Sequence, residues 1–206
     1  MYLQITDKCN MSCKHCGMSC TKRGTFMSIE TFHNALDNFD SCIAIGGGEP
    51  TLHPLFWQMV MESISRADEG VWMATNGSIT DIALTLASLA KKGILGVALS
   101  LDEFHDPIDP KVIEAFYGKP KYNINSDPTD LREIRNVSGK LIKAGRCKDG
   151  KEGCICPDMM VKPNGDVKIC GCKNAPIIGN VNTGFEIPDN YMYGECYKDQ
   201  EHRRNA

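Results

Sequence analysis

The chain has 206 residues, of which 42% are hydrophobic, 24% charged and only 7% aromatic, with a formal charge of −3. That length suits one compact domain with a small appendage, and no apolar run approaches the roughly 20 residues that cross a bilayer. The mild acidity leaves no electrostatic footprint for nucleic acid, and the locally basic stretch from Lys140 to Lys151 reads as a solvated linker.

The chain opens at Tyr2 to Thr6 with a short apolar run that predicts a strand, and no basic and apolar leader stands before it, so the expectation is a soluble, cytoplasmic protein. Ser28-Ile29-Glu30 then starts a helix carrying Phe32, Leu36 and Phe39. A second strand is predicted over Cys42 to Ile45, and a second helix after Pro54 with Trp57, Val60 and Ile64 on its apolar face. The third strand is Val71 to Ala74, and the third helix runs from Ile79 to Lys92, starting at Thr80-Asp81 and stopping at Gly93. Ile94 to Leu99 is the fourth strand. Strand followed by helix, repeated, implies a parallel sheet with right-handed crossovers, as an open doubly wound sheet or a partial barrel, and both place chemistry at the strands' C-terminal ends.

Beyond Asp106 the periodicity weakens. Pro110 to Tyr117 predicts a fourth helix, Lys121 to Asn125 a fifth strand, Asp130 to Asn136 a helical turn and Lys140 to Ala144 a sixth strand. From Cys147 the chain is rich in Gly, Pro, Asn and Cys, with a hairpin in which Met159 to Lys162 and Asp166 to Cys170 flank Pro163-Asn164-Gly165. So little apolar pattern calls for a staple such as metal ligation. The tail from Lys198 to Ala206 reads as frayed.

Eleven cysteines cannot all pair into disulfides, and a chain without an export signal belongs in a reducing compartment, so metal is the better explanation. Cys9, Cys13, Cys16 and Cys20 crowd the start, Cys147, Cys154, Cys156, Cys170, Cys172 and Cys196 the last third, and Cys42 stands alone as a small buried hydrophobe. Two metal centres follow. Cys9, Cys13 and Cys16 lie within eight residues directly after the first strand, where three thiolates can hold three irons of a [4Fe–4S] cluster and leave the fourth open. Zinc is the alternative, closed by Cys20 or, with awkward geometry, by His15.

The Cys-x3-Cys-x2-Cys spacing after a first strand resembles the radical S-adenosylmethionine superfamily. Its companions are Gly46-Gly47-Gly48-Glu49 after the second strand, Thr75-Asn76-Gly77 after the third, and Ser100-Leu101-Asp102 with His105-Asp106 after the fourth. The resemblance implies a shortened partial (β/α) barrel over residues 1–145. Gly46, Gly47, Gly48 and Glu49 would receive the methionine amino group of the cofactor, while Asn76, Ser100 and Asp102 would line its site. It further implies that a reduced cluster on Cys9, Cys13 and Cys16 splits S-adenosylmethionine into methionine and a 5′-deoxyadenosyl radical that removes a substrate hydrogen. A low-potential donor such as flavodoxin or ferredoxin would supply the electron. His105 reads as a loop histidine satisfied by Asp102 or Asp106.

Residues 146–198 resemble the auxiliary-cluster extension called SPASM or, in its one-cluster form, twitch, on Cys154-x10-Gly165-x4-Cys170 and Ile177 to Val181, with Ala144-Gly145-Arg146 as the approach. The implied second [4Fe–4S] cluster takes Cys147, Cys154, Cys170 and Cys196. Cys156 and Cys172 are rivals, because paired Cys-x-Cys turns could also close a four-thiolate zinc site. Gly17 stands where the family often places an aromatic, and the glycine-rich strand-five motif is missing. A contracted barrel implies an open active site, which suits modification of a peptide or protein first and radical dehydrogenation or rearrangement of a sugar, alcohol or nucleoside second. A noncatalytic iron–sulfur carrier or zinc-stapled binding module is the reading from outside enzymology.

Overall fold

The structure, a computed structural model, describes residues 1–39, 41–117, 129–151, 153, 158–172, 175–189 and 191. The predicted alternation is present. Strand β1 (Tyr2–Thr6) is followed by α1 (Ile29–Asn38), β2 (Ile43–Gly47), a single 3₁₀ turn (Pro50–Leu52), α2 (Phe56–Arg66), β3 (Val71–Thr75), α3 (Thr80–Lys91), β4 (Gly96–Ser100) and α4 (Pro110–Tyr117). Ser28 caps α1 by accepting the Thr31 N–H at 3.1 Å, and α3 stops before Gly93, whose φ of +71° no β-branched residue would adopt comfortably.

β1 to β4 are parallel and stack in chain order, with Leu3 opposite Ile45, Ile43 opposite Val71 and Met73 opposite Val97. They read as apolar runs because both faces are covered: every residue of β1 after Tyr2, and every residue of β4 before Ser100, is buried. Phe32, Leu36, Met59, Leu86 and Val112 bring the helices onto one core, with α1 against α2 and α3 against α4.

The second half of the chain departs from the prediction. Asp130 to Asn136 is not a helical turn but contains β5 (Arg132–Arg135), parallel to β4 with Leu99 opposite Ile134. Arg-Glu-Ile-Arg has no strand-like composition; the open edge of β4 supplies the backbone partners, and Arg132 is buried against Asp130 at 2.7 Å. Lys121 to Asn125 lies outside the described residues. Lys140 to Ala144 makes only an isolated bridge, Ile142 to Lys151, so the sixth strand is instead β6 (Met160–Val161). β6 joins the free edge of β1 in parallel, with Tyr2 opposite Met160, and turns through Pro163-Asn164-Gly165 into antiparallel β7 (Asp166–Lys168), as the hairpin reading anticipated. β8 (Ile177–Asn180) and β9 (Gly184–Phe185) continue outward. The result is one open nine-stranded sheet in the order β5-β4-β3-β2-β1-β6-β7-β8-β9. Cys42 is exposed rather than buried, since it precedes β2 and only its carbonyl is engaged, by the Met1 ammonium at 2.9 Å.

Candidate functional site

The parallel strands β1 to β5 all end on the same edge of the sheet, and the segments leaving those ends build one cavity of about 470 Å³. The cysteine loop leaves β1. Its main chain is pinned by Cys9 N–H to Thr21 C=O at 2.8 Å, Thr21 N–H to Asp7 C=O at 3.2 Å and Cys16 N–H to Cys13 C=O at 3.2 Å. Cys9, Cys13 and Cys16 are free thiols, half-buried, and all three line the cavity. Burial pushes the Cys9 thiol up, and burial with the neighbouring Cys9 and Cys16 sulfurs pushes Cys13 up to about 11. A hydrogen bond from the Cys20 thiol draws Cys16 down to about 5, against burial and with help from the Arg146 charge. Three sulfurs that repel one another as thiolates fit a polynuclear iron centre, which takes up that charge. Cys20 is buried behind them and accepts Gln4 Nε2 at 3.7 Å.

Gly46, Gly47 and Gly48 pass from β2 across the end of β1, and the last two lie so close that a Cβ on Gly47 would fall 2.2 Å from the Thr6 carbonyl oxygen and one on Gly48 2.2 Å from the Lys8 carbonyl oxygen. Only glycine fits there, and the exposed backbone faces the cavity. Glu49 follows, 1% exposed. Its Oε1 accepts Thr51 N–H at 3.2 Å, Thr51 Oγ1–H at 2.6 Å and Thr75 Oγ1–H at 2.8 Å, and its Oε2 accepts Asn76 N–H at 2.7 Å. Burial raises its pKa despite those donors. The carboxylate therefore ties the end of β2 to the end of β3 at the wall of the cavity.

Asn76 extends that tie to the cysteine loop. Its Nδ2 donates to Asn10 Oδ1 at 3.0 Å and approaches Cys9 Sγ at 4.0 Å, while its Oδ1 accepts Ser78 N–H at 3.0 Å in a local turn. The turn reading of Asn76 is thus met, and the same residue lines the cavity. Ser100 and Asp102, at the end of β4, complete the wall. Asp102 Oδ1 accepts His105 Nδ1–H at 2.7 Å and Phe104 N–H at 3.0 Å. Burial opposes ionisation of Asp102, yet these donors hold its pKa below the usual value. Asp102 Oδ2 and His15 Nδ1 are buried without a hydrogen-bond partner among the described residues, and the His15 ring lies 5.0 Å from that of His105.

Several cavity residues escaped the sequence reading, Arg135 and Trp72 among them. Arg135 was hidden in a segment taken for a helical turn, although its position after a fourth strand would have suggested a fifth strand end. Trp72 sits on β3 among residues read as core. Of the late cysteines, Cys147 and Cys170 are buried and Cys172 half-buried, none of them lining this cavity. Cys154, Cys156 and Cys196 lie outside the described residues. Cys170 packs with Ile169 and Ala175 in a small separate cluster, next to the buried Lys168, whose ammonium donates to the Cys172 carbonyl.

The described residues thus form an open, largely parallel α/β sheet with free thiols gathered at its strand ends. Residues 3–125 match the sequence pattern of the Radical SAM superfamily, which is more than half of the chain, and the chain belongs to that superfamily. That superfamily is a class of enzymes that works with a [4Fe–4S] cluster and S-adenosylmethionine. It is 33% identical over 104 residues to mycofactocin maturase MftC of Mycobacterium ulcerans, covering 48% of this chain and 28% of the maturase. It is 32% identical over 109 residues to the tungsten-containing aldehyde ferredoxin oxidoreductase cofactor-modifying protein of Pyrococcus furiosus, covering 50% of this chain and 30% of that protein. The solved structure of Streptococcus suis SuiB bound to S-adenosylmethionine aligns over 91% of this chain and 65% of its own, with a TM-score of 0.46 and 11% identity. The chain spans under a third of the length of these two curated relatives. Among the described residues, no helix is long and apolar enough to cross a membrane.

Proposed function

We propose that Cys9, Cys13 and Cys16 hold the [4Fe–4S] cluster with one iron open, and that this cytoplasmic enzyme removes a hydrogen atom from a peptide or protein in order to modify it. The observation that carries this reading is the convergence of three free thiols with Gly46, Gly47, Gly48, Asn76, Ser100 and Asp102 on one cavity at the strand ends. When bound and reduced, the cluster supplies the electron that splits S-adenosylmethionine and so produces the radical. The chain's own residues do the positioning. The close-packed glycines bare backbone for the cofactor's amino group, and Glu49 fixes them relative to Asn76. Ser100 and the free Oδ2 of Asp102 offer acceptors for hydroxyl groups, and the His105 hydrogen bond keeps Asp102 ionised and oriented. Trp72 and Tyr2 also line the cavity and supply it with aromatic surface.

Residues 146–198 are read as the extension, with Cys147, Cys154, Cys170 and Cys196 on an auxiliary [4Fe–4S] cluster, Cys156 and Cys172 as the rival ligands, and residues 199–206 as a tail. A flavodoxin or ferredoxin is the electron donor in this reading. The open sheet and the relative named as a maturase support a peptide or protein substrate. The relative named as a cofactor-modifying protein supports a small molecule as the second reading. Anaerobic reconstitution with iron and sulfide, followed by an assay for 5′-deoxyadenosine under strong reductant, tests the assignment. Replacing Cys9, Cys13 and Cys16 together by Ala should abolish the product and remove about four irons. Unchanged product, or zinc in place of iron, refutes it.

A further inference from the structure

Arg146 stands immediately before Cys147, far from the cysteine loop in sequence, yet it closes over that loop in space. Its main-chain N–H donates to the Cys16 carbonyl at 3.0 Å, its Nε to the Cys13 carbonyl at 3.2 Å and its Nη1 to the Cys20 carbonyl at 2.5 Å. Three carbonyls of one irregular loop thus converge on one residue. A guanidinium suits them because its donors diverge in a fixed plane, which an ammonium cannot reproduce. Gly145 makes the approach possible: at φ +55° it lies against the Gly17 and Cys16 carbonyls, and a Cβ there would fall 2.3 Å from the Gly17 oxygen. The Arg146 charge also acts on both Cys9 and Cys16.

We infer that Arg146 is a positioning residue through which the extension governs the cysteine loop, holding its three sulfurs in register for the cluster and biasing the cluster toward its reduced form. This rests on Cys9, Cys13 and Cys16 being the cluster ligands. A [4Fe–4S] centre gains a negative charge on reduction, so a fixed cation beside two of its ligands favours the reduced state, and losing that cation disfavours it. Losing the fork while keeping the charge loosens the loop and leaves the electrostatic bias in place. Arg146 therefore has two separable effects, and Lys separates them.

The test uses the full chain, reconstituted anaerobically, and follows the fraction of the reduced-cluster EPR signal that changes when S-adenosylmethionine is added, which isolates the N-terminal centre. Arg146→Gln should load iron as the wild type does, and should show about a tenfold lower ratio of reduced to oxidised cluster at fixed potential, or about 59 mV for a one-electron couple. Both Arg146→Gln and Arg146→Lys should lose iron to a chelator several-fold faster than the wild type, while Arg146→Lys keeps most of the potential. An Arg146→Gln chain with unchanged midpoint and unchanged iron loss overturns the inference. Should that chain fail to fold, the chelator rate of Arg146→Lys decides in its place, and a wild-type rate there overturns it. A triple Cys9, Cys13 and Cys16 to Ala chain that still carries the S-adenosylmethionine-responsive signal instead overturns the ligand assignment on which the inference rests.

Discussion

The two flanks of β1 are built on different principles. On one side, β2 to β5 and four helices bury Phe32, Leu36, Ile45, Met59, Met73 and Leu86 in a continuous apolar core. On the other, β6 to β9 are strands of two to four residues. From this flank Met159, Val161, Val167 and Val181 are buried in that core and Ile178, Phe185 and Tyr191 pack against it half-buried, while Ile169, Cys170 and Ala175 form a second small cluster. Side-chain amides do much of the holding there. Asn180 Nδ2 donates to the Asn164 carbonyl and to Asp166 Oδ1, each at 3.0 Å, and Asn34 on α1 donates to Asn182 Oδ1 at 2.9 Å. Residues that must stay within tenths of an ångström sit beside the packed flank, and the thin flank is secured by polar staples and, in the proposed reading, by cysteine ligation.

Substitutions can test this contrast, beginning with the largest effect. Phe32→Ala should cost about 3–5 kcal/mol, measured by urea unfolding, because it empties the centre of the packed flank; a cost under about 1 kcal/mol would mean that the flank is not held by apolar packing.

Glu49→Gln comes next, at about 1–3 kcal/mol, since an amide nitrogen must face either Asn76 N–H or the Thr51 and Thr75 donors. The pH dependence has a definite sign. A carboxyl whose folded pKa is raised adds stability that is full below its unfolded pKa and is lost as pH rises through the folded one. Wild-type stability should therefore fall across that interval, and Glu49→Gln should flatten the fall; equal pH slopes would show that Glu49 is ionised in the fold without penalty.

Asn180→Ala should cost about 1 kcal/mol and act locally, raising amide exchange in β7 and β8 while leaving β2 and β3 protected. If protection is lost in both flanks together, the sheet opens as one unit and the contrast fails. Smallest is Arg66→Ala, which removes a surface pair with Asp37 whose side chains are 38% and 62% exposed. It should change stability by less than about 0.5 kcal/mol, and a larger loss in urea unfolding would show that surface charge contributes to the packed flank.

The packed flank was also the legible one. β1 to β4 announce themselves as apolar runs and α1 to α3 by their apolar spacing, with a capping serine before α1, because a strand covered on both faces and a one-sided helix leave local signatures. The cysteine spacing, Gly46 to Gly48 and the polar residues after β3 and β4 were legible for the same reason, as short punctuation after each strand. What escaped was non-local. Arg132–Arg135 becomes a strand only because β4 offers an edge, and Met160–Val161 pairs with β1 only once the sheet exists. The role of Glu49 as a tie between strand ends depends on donors from Thr75 and Asn76 that no local pattern reveals. Arg146 belongs to the same group, since its three carbonyl partners lie near the opposite end of the chain.

The placement of β1 bears on how the molecule is made. It precedes the other described strands in the sequence, yet it sits inside the sheet, and one of its two neighbours, β6, arrives only after residue 159. Until then a strand whose residues after Tyr2 are all destined for burial presents a bare row of backbone donors and acceptors on that side, the pattern that invites pairing with another chain. Closing that gap brings together segments from opposite ends of the sequence, a contact that forms late and slowly. A nascent chain stalled before β6 would therefore be the aggregation-prone species, and rapid completion of synthesis would be part of what keeps this enzyme in its working form.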